Sequence, residues 1–256
     1  MKPVLAFDIE TIPDVAGIRR LHDLPADLPD HEAAEVAFQK RRAQTGSDFL
    51  GPQLHRVVVI GCVLREGDAV KVFSIAEAAE KETIQRFYDG IEKLVPQLVS
   101  WNGGGFDLPV LNYRALVHGV AAPKFWDQGE DDRDFRFNSY IGRYHARHLD
   151  LMDVLAMYQP RNNAPLDEVA QLAGFPGKIG IGGAQVWLAY LDGRLAEIRD
   201  YCEADTANTY LLYLRFQKLR GVLTEGQYGK ECALLRAALE KLKAPHWREF
   251  LTRWSG

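Results

Sequence analysis

Hydrophobic positions along this chain follow two rhythms, and the switch between them predicts its elements. Residues 4–9 form a short apolar run broken by Asp8, the pattern of a buried strand that ends in carboxylates. A polar stretch, 13–52, follows, and within it the segment HEAAEVAFQKRRAQ reads as a helix. Strands are predicted at 56–64 and 69–75, joined at Glu66-Gly67-Asp68, a hairpin signal. Residues 77–94 then repeat apolar side chains at helical spacing (Ala78, Ile84, Phe87, Tyr88, Ile91, Leu94). A strand at 97–101 runs into three glycines, and a helix is expected at 107–118. Residues 121–144 show no period and read as a long loop. A short strand at 148–151 precedes a helix containing 154–158, and 165–173 looks helical. A glycine-rich break spans 174–183, after which helices dominate, the longest at 195–219. A hairpin followed by strands alternating with helices implies an α/β fold with a mixed sheet.

Composition narrows the function classes. With 256 residues the chain is long enough to bury a sizeable core. It has no apolar run of about 18 residues, so no membrane span is expected. The N-terminus lacks a signal peptide's apolar stretch, and three scattered cysteines (Cys62, Cys202, Cys232) supply neither a disulfide framework nor a zinc site. Together these point to a reducing, cytoplasmic setting. A net charge of −4 weighs at first sight against a nucleic-acid partner.

Four carboxylates stand at structurally special points. Asp8 and Glu10, in FDIET, lie two apart at a strand end, so both side chains face one way and can ligate one cation. Asp107, in WNGGGFD, opens a helix just after a glycine turn; its plain alternative is an N-cap. Asp205 and Tyr201, in YCEADT, are four apart on one helix face. Their plain alternative is a solvated face opposite the stripe of Ile198, Leu211, Leu212 and Leu214. Each motif alone is weak, and their order along one α/β chain is what carries weight.

These three motifs resemble those of the DEDDy group of proofreading-type 3′–5′ exonucleases. FDIET is similar to the first motif, NGGGFDLPVL to the second and YCEADTANTYLLY to the third. Asp200 stands where the histidine subgroup would carry its histidine. Within the group, the Asn-Gly…Phe-Asp and Tyr-Cys-x-x-Asp forms look closest to the exonuclease domain of family B DNA polymerases. The resemblance spans roughly residues 4–219. It implies a ribonuclease-H-like, DnaQ-like mixed five-stranded sheet flanked by helices, with the acids gathered at the ends of its central strands. The exonuclease domain would then be 1–219, with 13–55 an insertion between the first two strands. Residues 220–256 would form a helical extension packed on the same domain.

The implied chemistry is phosphodiester hydrolysis assisted by two divalent cations, Mg²⁺ or Mn²⁺, for which carboxylates are fitting hard ligands. Asp8 is expected to bridge the ions, Glu10 and Asp205 to complete one shell and Asp107 to help hold the second. Tyr201 is a poor base at a usual pKa near 10 and is expected to orient the attacking water.

Other candidates are weighed against plainer roles. Thr11, by family analogy, contacts the 3′-terminal nucleotide. Asn102 contacts the substrate backbone or only shapes the turn. Phe106 packs in the core or stacks on a terminal base. Lys178, in GKIGIGG, meets a phosphate or sits in a mobile surface loop. His145 and His148 lack the further ligands of a zinc site and are expected at the surface or on the substrate side. Asp150 and Asp153 are expected to cap the next helix, the alternative being that one of them supports the metal ligands. The glycine runs at 103–105 and 180–183 lack a dinucleotide-binding context. The insertion is expected to cover the site or grip the strand through Lys40, Arg41, Arg42 and Arg56.

The leading expectation is a 3′–5′ exonuclease acting on single-stranded DNA ends. The alternatives are an exoribonuclease, and a non-catalytic nucleic-acid-binding module on the same fold. The 37 residues beyond 219 are too few for a polymerase palm and fingers, so a free-standing exonuclease, or one working with a partner chain, is expected. Dividing the charge also changes its meaning. Residues 206–256 carry nine Lys and Arg against four Glu, which leaves −9 on residues 1–205. Four of those negatives are the proposed ligands, whose charge two divalent ions would cancel.

Overall fold

A computed structural model of the chain describes residues 2–255. Its centre is a five-stranded sheet in the order β3-β2-β1-β4-β5. The strands are β1 (Val4–Pro13), β2 (His55–Glu66), β3 (Ala69–Ile75), β4 (Gln97–Ser100) and β5 (His148–Asp150). β1 runs antiparallel to β2 and β2 to β3, whereas β4 and β5 pair parallel to β1 and to each other. This is the mixed, ribonuclease-H-like α/β sheet that the motifs imply. The β1–β2 register breaks between Glu10 and Thr11, where Val58 is the extra residue on β2. Such a bulge twists and re-aims the side chains beside it.

Eleven helices are described: α1 (Val15–His22), α2 (Asp30–Thr45), α3 (Glu80–Leu94), α4 (Asp107–His118), α5 (Pro123–Trp126), α6 (Leu151–Leu155), α7 (Leu166–Leu172), α8 (Val186–Leu191), α9 (Leu195–Leu219), α10 (Glu225–Leu242) and α11 (Pro245–Arg253). Alternation along β1 sends Val4 and Ala6 to one face and Leu5, Phe7 and Ile9 to the other. The first set packs with Tyr210 and Leu211 of α9, Leu235 of α10 and Trp247 and Phe250 of α11. The second set packs with Ile84, Phe87 and Ile91 of α3 and Leu108 and Leu111 of α4. A buried ion pair, Arg65 Nε to Glu231 Oε2 at 2.6 Å, ties β2 to α10. No helix among the described residues is long and apolar enough to cross a membrane.

Several expected elements change. The helix placed over 154–158 stops at Leu155, because Met157 and Tyr158 take left-handed φ values of 53° and 60°. The loop at 121–144 holds α5 and a 3₁₀ turn, Arg133–Arg136, braced by the Arg147 guanidinium 3.7 Å above the Phe135 ring. The insertion carries α1 as well as the expected helix. α1 escapes the sequence pattern because only two of its residues, Val15 and Ile18, are buried, too few for a period in eight residues.

Candidate active site

Three elements bring the acids together at one end of the sheet. β1 presents Asp8 and Glu10 on the face that α9 covers. Close approach of α9 depends on Gly61, which pairs with Asp8 across β1–β2. A Cβ there would lie 2.3 Å from Thr206 Oγ1 and 2.9 Å from the Cys202 carbonyl, so only glycine lets the helix seat. That seating places the Cys202 thiol 3.7 Å from Asp8 Oδ2, and it donates there and to the Asp8 carbonyl. One residue before Cys202, Tyr201 is buried, and its phenol faces the Asp205 carboxylate. The solvated-face alternative for Tyr201 and Asp205 does not hold, since α9 is covered on nearly every side.

Asp107 arrives from the opposite layer. It is the first residue of α4 and does not cap it; the N-cap position is Phe106. Its Oδ1 instead accepts from the Ile9 backbone N–H at 3.1 Å. The turn before it is tightly made. Asn102 adopts φ 66°, and a Cβ on Gly103 would meet Ser100 Oγ at 2.3 Å. Asp150 holds the turn from below, accepting from the N–H groups of Asn102 and Gly104, both at 2.9 Å, and from Asp153 N–H at 3.3 Å. The expected capping role of Asp150 is therefore only part of its work. Asp153 pairs instead with Arg143, at 2.8 and 2.7 Å.

Electrostatics follows from burial. Desolvation, then the like charges of Asp107, Glu10 and Asp205, push Asp8 well above the usual carboxylate range. Glu10 is raised well above its range by burial and then by Asp205 and Asp107. Burial lifts Asp107 to about 7 and Asp205 to about 6. Tyr201 is raised by burial and then by the three neighbouring acids, so it stays a phenol. The Lys178 ammonium lowers both Glu10 and Asp205 and sits 5.6 Å over the Tyr201 ring.

The loop carrying Lys178 is tethered rather than free. Lys178 N–H donates to Asp167 Oδ1 at 2.6 Å and its carbonyl accepts from Arg253. Gly177 is gripped on both backbone atoms by the buried Asn208 amide. The histidines do not gather for zinc. His148 Nε2 pairs with Ser100 Oγ at 2.8 Å, while His145 Nδ1 accepts from Ser139 N–H.

The donor set fits hard divalent cations. Asp8, Glu10, Asp107 and Asp205 are oxygen donors, and Lys178 offsets part of their buried charge. Ligand atoms of Asp8, Glu10 and Cys202 lie within 4.8 Å of one another. The Cys202 thiol is raised well above its range by burial and by Asp8, so it is a neutral donor to Asp8 and no thiolate ligand.

Beside these acids lies a cleft of about 490 Å³ lined by Glu10, Thr11, Phe49, His55, Phe106 and Trp187, among others. Thr11 Oγ1 and His55 Nδ1 are 2.8 Å apart, and His55 Nε2 lies 3.2 Å from the Leu50 carbonyl. The carbonyl can only accept, so Nε2 carries the proton and Nδ1 accepts from the Thr11 hydroxyl. Phe106 packs against the edge of the core, half-buried, and also meets Phe49 and His55, at 5.3 and 4.9 Å between ring centroids. Phe49, His55 and Trp187 are lining residues that sequence reasoning missed. Phe49 has one signal, an aromatic ring in an otherwise polar segment, whereas His55 opens the apolar strand β2 and Trp187 sits in the apolar helix α8.

The insertion's cations do not reach this cleft as a grip. Arg41 Nε donates to the Phe49 carbonyl, Arg42 pairs with Asp48 at 2.7 Å, and Lys40 lies 3.0 Å from His22 Nδ1. Arg56 packs over Tyr190. The first two arginines thus brace the loop that presents Phe49.

Known polymerases share stretches of this chain. It is 28% identical over 148 residues to the catalytic subunit of DNA polymerase epsilon from Emericella nidulans, and equally to that from Aspergillus fumigatus. Each match covers 55% of this chain, and the chain spans about 6% of the length of those relatives. A family B DNA polymerase from the hyperthermophilic archaeon Pyrobaculum calidifontis aligns with 82% of this chain and 24% of its own, at 20% identity and a TM-score of 0.49. Residues 47–254 match the family described as predicted 3′–5′ exonuclease related to the exonuclease domain of PolB. Asp8 and Glu10 lie ahead of that matched range and are joined to it through the β1–β2 and β1–β4 pairing. The chain belongs to the family of 3′–5′ exonucleases related to the exonuclease domain of PolB.

Proposed function

We propose that the protein is a metal-dependent 3′–5′ exonuclease of the DEDDy type that removes nucleotides from the 3′ end of single-stranded DNA. The observation that carries this reading is the convergence of Asp8, Glu10, Asp107, Asp205 and Tyr201 at one sheet end beside an aromatic cleft.

The reaction is attack of water on the terminal phosphodiester, cleavage of its P–O3′ bond, and release of a 5′-mononucleotide with a new 3′-hydroxyl on the strand. Asp8, Glu10 and Asp205 would hold one divalent ion, and Asp8 and Asp107 the second. When bound, the two ions supply an acidified water and charge neutralisation at the leaving oxygen. Tyr201 stays protonated, so its hydroxyl orients the water and takes no proton from it. Lys178 adds positive charge on the side of Tyr201 and Asp205, where a phosphate oxygen would otherwise face carboxylates alone. Phe106 and Phe49 give the terminal base apolar faces, with Thr11 below them at the sugar. A cleft walled by the insertion suits one unstacked nucleotide, which favours single-stranded over duplex ends.

Matched DNA and RNA oligonucleotides, digested with Mg²⁺ or Mn²⁺, test the substrate. Stepwise shortening of DNA from its 3′ end supports the reading. Rapid loss of RNA beside intact DNA would replace it with an exoribonuclease.

A further inference from the structure

We propose that a second groove, across the glycine turn from the terminal cleft, binds the bases of the same strand upstream of the scissile phosphate, with Trp126 as their stacking surface. This rests on the exonuclease reading. The turn at 102–106 is shared by both hollows. Asn102, Gly104 and Gly105 line a groove of about 620 Å³, while Phe106, the next residue, lines the terminal cleft. A strand whose last nucleotide lies in the cleft therefore has one continuous path, over a turn kept free of side chains by its glycines.

The groove has the chemistry of a base-stacking site. Trp126 is 49% exposed in its wall, although its neighbour Phe125 is 1% exposed and packs edge-on against it at 5.4 Å. A large apolar ring held on a rigid base yet open to solvent is suited to stacking, and stacking tolerates any base. Around it the polar groups include the neutral amides Asn102, Asn112 and Asn163. Asn112 Oδ1 already accepts from the Tyr88 hydroxyl at 2.8 Å, which leaves its NH₂ to donate.

Two carboxylates also face this groove, and both are already engaged within the fold. Asp150 is spent on three backbone N–H groups, and Asp153 is paired by Arg143. The far wall, Pro160 to Asn163, is set by the left-handed Met157 and Tyr158. Two adjacent non-glycine residues in that region mark strain of the kind that accumulates at binding sites.

The test compares Trp126→Ala, Trp126→Phe and the wild type on two substrates. Thymidine 5′-monophosphate p-nitrophenyl ester puts one nucleotide in the terminal cleft and only its leaving phenol, with no upstream base, beyond the scissile phosphate. Single-stranded DNA oligonucleotides extend past the turn. Trp126→Ala is expected to raise the ratio of oligonucleotide KM to ester KM roughly 5- to 100-fold, with Trp126→Phe recovering most of it. An unchanged ratio overturns the groove while leaving the exonuclease reading intact. Equal losses on both substrates would overturn it too, by showing that Trp126 acts through the fold. A wild type that cleaves neither substrate with any divalent ion sinks the exonuclease reading, and the groove with it.

Discussion

The backbone N–H of Ile9 donates to Asp107 Oδ1 across 3.1 Å, so the helix that carries one acid is bonded to the strand that carries two. Asp107→Asn keeps an oxygen acceptor at that place and removes the charge. It should fold with near-wild-type stability and lose activity. Asp107→Ala orphans the buried Ile9 donor and should cost about 1–3 kcal/mol of stability besides. Urea unfolding of both variants checks this; equal stabilities would mean that the bond does not join the two layers.

Asp8 is buried among like charges and carries a raised pKa. A carboxyl raised in the folded state weakens folding once pH exceeds its unfolded value, and the penalty is complete above the folded value. Asp8→Asn should therefore raise the melting temperature of the chelator-treated protein at pH 7.5. It should also abolish the stabilisation that Mn²⁺ gives the wild type. Thermal melts with and without Mn²⁺ measure both effects. A variant melting below the wild type in chelator would remove the argument from electrostatic repulsion.

Burial holds His148 at about 4, below its ordinary 6.5. Protonation then favours the unfolded chain, so this contribution is intact above about pH 6.5 and is lost as pH falls toward 4. The raised carboxylates act in the opposite direction, which is why a variant must be compared with the wild type. His148→Gln keeps a partner for Ser100 Oγ without titrating in this range. It should make the acid limb of a stability–pH curve shallower by about 1–3 kcal/mol over that window. Superimposable acid limbs would show that burial does not lower the His148 pKa.

How much is legible in the sequence differs by element. β3, α4 and α9 can be read to their end residues, because a hairpin turn, a glycine turn and a long apolar stripe bound them. Of the site acids only Asp107 stands beside a glycine break. β1 does not end at its carboxylates but runs on past Glu10 to Pro13, and Asp205 lies inside α9, so these acids are legible by motif rather than by position. What stays hidden depends on approach between distant segments. Phe49 looks like one exposed apolar residue in a polar insertion until Arg41 and Arg42 fold its loop back over Phe106. Asp150 reads as a helix cap, and only strand pairing with β4 shows it holding the glycine turn. Lys178 sits in a segment whose glycines predict mobility, while its tethers come from Asp167, Asn208 and Arg253, which no local pattern connects.

The C-terminal helices should matter for stability more than for chemistry. Glu231 of α10 is bonded by Arg65 at 2.6 and 2.8 Å, with both side chains almost entirely buried. Glu231→Ala leaves that guanidinium without its partner and should cost about 3–5 kcal/mol. Denaturant titration gives the value. A loss under about 1 kcal/mol would show that water replaces the pair, as at an exposed ion pair.

The most direct test of the central claim is the fate of a single-stranded DNA oligonucleotide, with Mg²⁺ or Mn²⁺, exposed to the wild type and to Asp205→Asn. The wild type should release 5′-mononucleotides successively from the 3′ end, and only with a divalent ion. Asp205→Asn should slow that release by about 10³-fold or more. A wild type that binds the strand and never shortens it with any divalent ion, or a variant that shortens it as fast, would contradict the account.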